Sequence, residues 1–521
     1  MEKSSIPSTS NNNNYDAIVV GTGMGGLTCA SLLARTGKRV LALEQHYVAG
    51  GMTHTFKRKD YVWDVGVHAL GEMAPGNFPR KVLDFATEGR VEMHKYDEVY
   101  DSFQFPDGLK IDFPANRELF FERLKEQFPH EAKGLDQYRK LISKAAKSGY
   151  GHFFVQLLPS SFARILAPFI ARKFKKYSQT TTEAALDGII KDKRLKAVLT
   201  AQWGYYGPPP EESSFYMHAV TVRHFWHGGY YPVGGSQVFA EEMGKTIANG
   251  GGEIKTRSGV KQILETEGKA IGVELQNGAK YFAPLVISAV GAKATVNNLL
   301  NEKWRQSGWS KEILKLEQSP CHVALYLGFD GDITKSGARA SNQWFFETYD
   351  SHETCWDVEK SDSIAPVLYV SFPSLKDPKH TSSKHTGEVV TFVPYDYFKK
   401  WEITLRGKRG EEYNAIKKNL EERLLNQLFK HMPELKKHLT YVEFSTPLST
   451  VFYCHSTRGA IYGISPTPER FRCTSLKPET PFKNFYLTGS DVGTLGVVGA
   501  MMGGVLTAAK IEPKLWKQFK K

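Results

Sequence analysis

The stretch Tyr15 to Gly51, YDAIVVGTGMGGLTCASLLARTGKRVLALEQHYVAGG, decides the fold. Ala17-Ile18-Val19-Val20 is a short, apolar, β-branched run, the length of a strand buried on both faces and too short to favour a helix. It ends on Gly21-Thr22-Gly23-Met24-Gly25-Gly26. In a strand-turn-helix frame Gly21 permits the tight turn, Gly23 lets a pyrophosphate approach the backbone, and Gly26 allows the helix to pack closely on the strand. The helix, expected through about Ala34 and closed by Gly37, aims its positive end at the phosphates. Arg39 to Leu43 reads as the second strand. Glu44 follows it, with Gln45 behind, placed to accept both hydroxyls of an adenosine ribose. No Arg stands beside Glu44 for a 2′-phosphate, which argues against NADP at this site.

The fingerprint alone does not separate FAD from NAD. Gly50-Gly51, with Met52 next, suits a loop bending back over a second phosphate and a ribityl chain, and this favours FAD. The wording LEQHYVAGGMTHTF followed by YVWDVGVHALG resembles the N-terminal FAD segment of the retinol saturase, carotenoid isomerase and phytoene desaturase group, within the amine-oxidase-like flavoproteins. Members usually carry Lys or Arg four residues after the acid, where this chain has Val48. The resemblance returns in the loop Trp203 to Pro210, in Tyr230 to Ser236, in Thr450 to His455 with Arg458 to Gly463, and in Phe485 to Asp491 with Gly496 to Gly504.

The fold implied is α/β: a discontinuous Rossmann-like FAD-binding domain of the amine-oxidase and phytoene-desaturase type, with an inserted α+β substrate domain. Residues 15–79, 229–300 and 450–521 are assigned to the first, and 80–228 and 301–449 to the second. Residues 1–14 are polar and low in complexity and read as a disordered tail. By resemblance, the backbone of Val260 contacts the adenine and Asp491 takes a ribityl hydroxyl. The amides near Val498 and Gly499 then stabilise negative charge at the pyrimidine end of the reduced flavin. His68, Tyr205, Tyr206, Tyr453, Arg458 and Tyr462 are expected in the substrate pocket. Saturase-like members carry a His where this chain has His68, so one reading makes it a proton donor or positioning group. The other makes it a packed, hydrogen-bonded histidine.

The activity implied is redox chemistry at a carbon–carbon double bond of a lipophilic polyene such as a retinoid or carotenoid: saturation, desaturation or redox-assisted isomerisation. No second dinucleotide fingerprint is present, so the electron donor or acceptor is an unknown partner. Two alternatives share the architecture: a flavin amine oxidase, and a non-enzymatic prenyl or lipid carrier of the GDP-dissociation-inhibitor type. The carrier predicts eroded glycines or a lost acid, whereas Gly21, Gly23, Gly26 and Glu44 are intact.

Composition bounds the rest. At 521 residues the chain is long enough for two domains, and 12% aromatic residues can line an apolar pocket. A net charge of +13 favours anionic partners. Nucleic acid is not expected, since no zinc-finger, RNP-like or helix-turn-helix signature is visible. Five cysteines without CxxC spacing argue against a zinc knot or a disulfide framework. No metal is expected at His218, His224 and His227, because no carboxylate or Cys falls within that span. Tyr150 to Tyr177 joins apolar bulk to a basic flank, with Pro159 and Pro168 interrupting it, and reads as an interfacial membrane contact. A peripheral location on the cytoplasmic side of a membrane, without signal peptide or transmembrane helix, is the corresponding expectation. Ser236 is expected near a helix cap, and the Lys-, His- and Ser-rich loop from Ser374 to Gly387 in solvent.

Overall fold

The computed structural model describes residues 15–158 and 160–520. The expected tail 1–14 and Pro159 lie outside the described residues. Strand Ala17–Val20, buried at every position, is the middle of a five-stranded parallel sheet. Val286–Ser288 and then Phe485–Leu487 lie on one side of it, Val40–Leu43 and then Glu253–Lys255 on the other. A parallel sheet needs cover on both faces, which is why its strands are apolar throughout rather than alternating. On one face Ala17 and Val19 pack against helices Met24–Arg35, Val238–Asn249 and Gly496–Ile511. On the other, Ile18, Val20, Leu41 and Leu43 pack against a three-stranded antiparallel meander, Val260–Thr266, Lys269–Leu275 and Lys280–Phe282. Its second turn is Asn277-Gly278, where Gly278 takes a φ of +85°.

A seven-stranded mixed sheet forms the other large layer. Its order is Leu439–Ser445, Cys321–Asp330, Lys384–Val393, Val367–Ser371, Asn342–Phe346, Val99–Gln104 and Lys110–Pro114. All pairs are antiparallel except Asn342–Phe346 with Val99–Gln104. Helix Gly410–His431 covers one face through Leu420, Leu424 and Leu428. The other face presents Phe103, Trp344 and Tyr369 to a cluster that includes Tyr138 and Ile142 of helix Ala132–Leu157 and Met217 of helix Phe215–His224.

Three local expectations meet different outcomes. Helix Ser160–Ser178 runs through position 168, so the proline there removes one backbone donor without ending the helix. Ser236 stands next to the helix cap as expected, directly before the N-cap Gln237 of Val238–Asn249, and its N–H and hydroxyl donate to the carboxylate of Asp64 at 2.9 and 2.5 Å. The segment Ser374 to Gly387 is a solvated loop only in its middle, where Pro378, Lys379 and Thr381 to Ser383 are exposed; Lys376 is 1% exposed and strand Lys384–Val393 begins within it.

Candidate active site

The glycine turn separates into an opening and a packing surface. A Cβ added at Gly23 would meet nothing within 4 Å, so that face is open to a cleft of about 630 Å³. At Gly26 it would lie 2.2 Å from the Gly21 carbonyl oxygen, and at Gly25 2.3 Å from Gly489 Cα, so these two let helix Met24–Arg35 touch its neighbours. Gly51, at φ +56°, backs onto Gly23 Cα at 2.9 Å from where its own Cβ would stand, and Gly50 bridges to Gly23. Met24, Gln45, Met52 and Val260 line the same cleft. Glu44 is buried there, with Oε2 accepting the Thr22 N–H at 3.0 Å and hydroxyl at 2.5 Å, and Oε1 accepting the His46 N–H at 2.9 Å.

The cleft fits a dinucleotide, and an unpartnered group shows where. His46 Nε2 is buried without a hydrogen-bond partner on the cleft wall, while its Nδ1 is held by the Val48 N–H at 3.2 Å. A buried donor left unpaired costs about 1–3 kcal/mol, which a phosphate or ribose oxygen would relieve. Histidine two residues after the acid would thus be the group to hold a phosphate or ribose oxygen where Val48 offers no cation. Asp491 lines the cleft as well, yet its oxygens already accept the Ala292 N–H at 2.7 Å and the Ile464 N–H at 3.0 Å. It ties three chain segments together around the cleft.

Beside Met52 and Gly66 the cleft adjoins a small inner chamber of about 90 Å³, where His68 and Glu388 meet. His68 Nδ1 stands 3.2 Å from Glu388 Oε2. The alignment makes no hydrogen bond, and both His68 Nδ1 and Glu388 Oε1 are buried and unpartnered. Burial, then the nearby charge of Lys376, pushes the His68 imidazole down to about 3, so it is neutral at physiological pH. Burial, then the neighbouring Asp64, holds the Glu388 carboxyl well above the usual carboxylate range. Lys376 lies behind the pair, its Nζ donating to the His68 carbonyl at 2.7 Å, Asn342 Oδ1 at 2.5 Å and Ser371 Oγ at 2.7 Å. Burial brings its ammonium down to about 7, against the pull of Glu388, Asp101 and Asp64. The Tyr205 hydroxyl donates to Asp101 Oδ1 at 2.6 Å, and Asn342 Nδ2 donates to the same oxygen at 2.9 Å, which joins Lys376 to this second acid.

His68, Tyr205 and Tyr462 also line a far larger cavity of about 950 Å³. Phe153, Phe154, Leu157, Met217 and Trp516 make its walls apolar. Small-molecule pockets span roughly 300–1,000 Å³, so this one takes a long ligand. The N-terminal turn of helix Gly496–Ile511 stands where cleft and cavity meet: Gly496 and Val497 line both.

The chain matches the family described as "Flavin containing amine oxidoreductase" over residues 24–512. It belongs to that family. Among curated relatives, an all-trans-retinol 13,14-reductase of Danio rerio is 31% identical over 96% of this chain and 86% of its own. A chloroplastic prolycopene isomerase of Arabidopsis thaliana is 26% identical over 95% of this chain and 82% of its own. A cyclohexylamine oxidase structure from Brevibacterium oxydans superposes with a TM-score of 0.62 at 15% identity, covering 98% of this chain and all of that one, and shows the shared fold. As a member of the flavin-containing amine oxidoreductases, this protein is an FAD-dependent oxidoreductase, and the cleft at Gly23 and Glu44 has the residues that would hold the cofactor.

Within this flavin-containing fold, several expected residues stand elsewhere than the sequence suggested. Tyr206 is fully buried with its hydroxyl 3.2 Å from His218 Nδ1 and lines none of these cavities. Adjacent tyrosines at the end of the tight turn Ala201–Tyr205 point opposite ways, so only Tyr205 reaches the chamber. Arg458 pairs with Asp396 at 3.0 Å and stacks on Tyr395, away from the chamber. Tyr453 lines the FAD cleft and an adjoining cavity rather than the apolar one. Val498 and Gly499 face the apolar cavity and not the FAD cleft. His218 is locked between the Tyr138 and Tyr206 hydroxyls, and His224 Nε2 accepts the Gly71 N–H at 2.7 Å. Among the described residues no group of three or more His, Cys, Asp or Glu side chains is arranged to hold a metal.

Proposed function

We propose that this enzyme reduces a carbon–carbon double bond of a long lipophilic polyene of the retinoid or carotenoid class. The observation that carries the reading is the apolar cavity of about 950 Å³ ending on a chamber that holds a neutral His68 and a high-pKa Glu388 beside the FAD cleft. FAD, when bound, supplies exchange of a hydride equivalent with one carbon. The chain supplies the proton for the other carbon. Glu388 holds it, because burial and the neighbouring Asp64 raise the carboxyl well above the usual carboxylate range and so favour its protonated form. His68, neutral and with Nδ1 unpaired, cannot donate as an imidazolium; standing 3.2 Å from Glu388 Oε2, it can pass the proton on. Tyr369, edge-on to His68 at 5.1 Å, and Trp344 exclude water from the pair. The names of the relatives in Danio rerio and Arabidopsis thaliana, a retinol 13,14-reductase and a prolycopene isomerase, support the substrate class. Amine oxidation is disfavoured, since it calls for no resident acid.

The reading extends to a membrane surface. Tyr150, Phe154, Phe162, Ile165, Leu166 and Phe169 are exposed, Ile165 at 67% and Phe169 at 79%. Tyr150 and Phe154 belong also to the mouth of the apolar cavity. Arg172, Lys173, Lys175 and Lys176 are exposed farther along helix Ser160–Ser178. Apolar rings at the acyl boundary with cations on head groups is the arrangement of an interfacial helix. No helix among the described residues is long and apolar enough to cross a membrane. The test is anaerobic incubation of the dithionite-reduced, FAD-loaded enzyme with all-trans-retinol or a carotenoid in vesicles. Products with one fewer double bond are expected, and unchanged polyene of every chain length tried would sink the reading.

A further inference from the structure

The inner chamber has a second way out. Met52, Val65, His322 and Tyr326 line both the chamber and a further cavity of about 400 Å³, which shares no lining residue with the apolar one. One sheet face runs beneath both spaces. In strand register Glu388 stands opposite Tyr326, and Tyr326 opposite Glu443, so the three side chains lie abreast on the same face. Glu388 lines the chamber and Glu443 the further cavity. Two strand spacings put Glu443 roughly 10 Å from Glu388 across the sheet.

The two ends of this passage differ in charge. The apolar cavity lies at one end; at the other, Arg58, Arg406, Arg409 and Lys417 line the wall with Glu443. Arg58 pairs with Glu443 at 3.0 Å, and Arg406, Arg409 and Lys417 have no ion-pair partner among the described residues. Arg409 donates to the Tyr413 hydroxyl at 3.3 Å, but its Nε is buried without a partner. His322 Nδ1 is likewise buried and unpartnered, on a residue 8% exposed that stands where chamber and basic cavity meet.

We propose that the polyene this enzyme takes carries an anionic head group, a carboxylate or a phosphate ester, seated in the basic cavity while its chain passes the chamber into the apolar one. The inference rests on the double-bond reading, since it assigns the two ends of that substrate. Cations alone call for no particular anion; the continuity of the three spaces calls for one attached to a chain. A neutral lipid would fill the apolar cavity and leave the Arg409 and His322 nitrogens unpaired, whereas a free inorganic anion would satisfy them without reaching the chamber. The register also sets where reaction falls. With the head beside Arg409 and Lys417 and the proton held at Glu388, the bond reduced lies several carbons from the head group and not next to it.

Binding needs no turnover, so the test uses the oxidised, FAD-loaded enzyme. All-trans-retinoic acid, its methyl ester, all-trans-retinol and retinyl phosphate are titrated against quenching of protein fluorescence. The acid, the phosphate or both should bind about tenfold tighter than the ester and the alcohol, and the two anionic arms show which head is preferred. R409M and K417M, made separately, should each reduce that preference while the affinity for the ester holds, and added salt should act in the same way. Equal affinities for all four ligands, or variants that weaken ester and acid alike, would overturn the proposal. Reduction of the polyene by the dithionite-treated enzyme is read independently, so either reading can fail while the other stands.

Discussion

Lys376 is the group whose removal reports most directly on the chamber. Its ammonium is 1% exposed and falls from 10.5 to about 7 because burial disfavours the charged form. A base whose folded value is depressed gives its full stability above the unfolded value and loses it as pH falls from 10.5 toward 7. Wild-type stability should therefore rise by about 2 kcal/mol between pH 7 and 9 from this residue alone. K376M lacks that slope. It also leaves the His68 carbonyl, Asn342 Oδ1 and Ser371 Oγ without their donor, about 1–3 kcal/mol for each that stays dry. At pH 7 part of that loss is offset by removal of a buried charge, so the two proteins differ little there and more at pH 9. Urea unfolding of both at the two pH values gives the difference of differences, in which other titrating groups largely cancel. Identical responses to pH in wild type and K376M would refute the account of the buried ammonium.

E388Q keeps the shape of the carboxyl but loses its transferable proton. Turnover of the polyene should fall about 10²–10⁴-fold while FAD content stays unchanged, as read by absorbance after gel filtration. G23A and G26A should fail differently. The added methyl at Gly23 enters open space, so the protein folds but loses FAD, whereas at Gly26 it meets the Gly21 carbonyl at 2.2 Å and lowers the melting temperature of the apoprotein itself. Equal apoprotein stability in the two variants would contradict the division into opening and packing glycines. Replacing Ile165 and Phe169 by Glu should abolish flotation with anionic vesicles at unchanged melting temperature, since both are exposed; retained flotation would remove the membrane reading.

The FAD end was legible because its signals are local. Strand, turn, helix, second strand and acid follow one another in sequence, and each glycine has one backbone reason to be there. The chamber was half legible. His68 stands in a segment with its own wording, but Lys376 reaches its carbonyl from 308 residues away out of a stretch rich in Lys, His and Ser. Composition reads such a stretch as solvated, which holds for its middle, while Lys376 before it and strand Lys384–Val393 after it are buried in the large sheet's surroundings. Glu388 was missed for the same reason. A single acid in a β-branched strand looks like an outward-facing residue, and its burial follows from sheet order, which no local pattern carries. Tyr206 shows the converse, where the motif was right and the side-chain direction was not. Histidine at position 46 had a readable signal, standing two residues after the ribose acid in a loop where the usual cation was absent.

The chamber's charges decide which acid holds the proton. Three buried carboxyls, Asp64, Asp101 and Glu388, act on one lysine, and burial raises all three. One ammonium cannot neutralise three anions in so dry a space, so at least one carboxyl is protonated at rest. Asp64 accepts the Ser236 N–H and hydroxyl and the Tyr231 hydroxyl, and Asp101 accepts Gln202, Tyr205 and Asn342. Donors of this kind favour the anion. Among the described residues Glu388 receives no side-chain hydrogen bond, only the Asp64 backbone N–H favours its anion as a donor, and Oε1 is unpartnered. The balance of donors therefore favours the proton on Glu388, the one acid of the three that lines the chamber. An acid already charged with its proton before substrate arrives is arranged to add hydrogen across a double bond, and the direction of the reaction then depends on which way electrons enter the flavin.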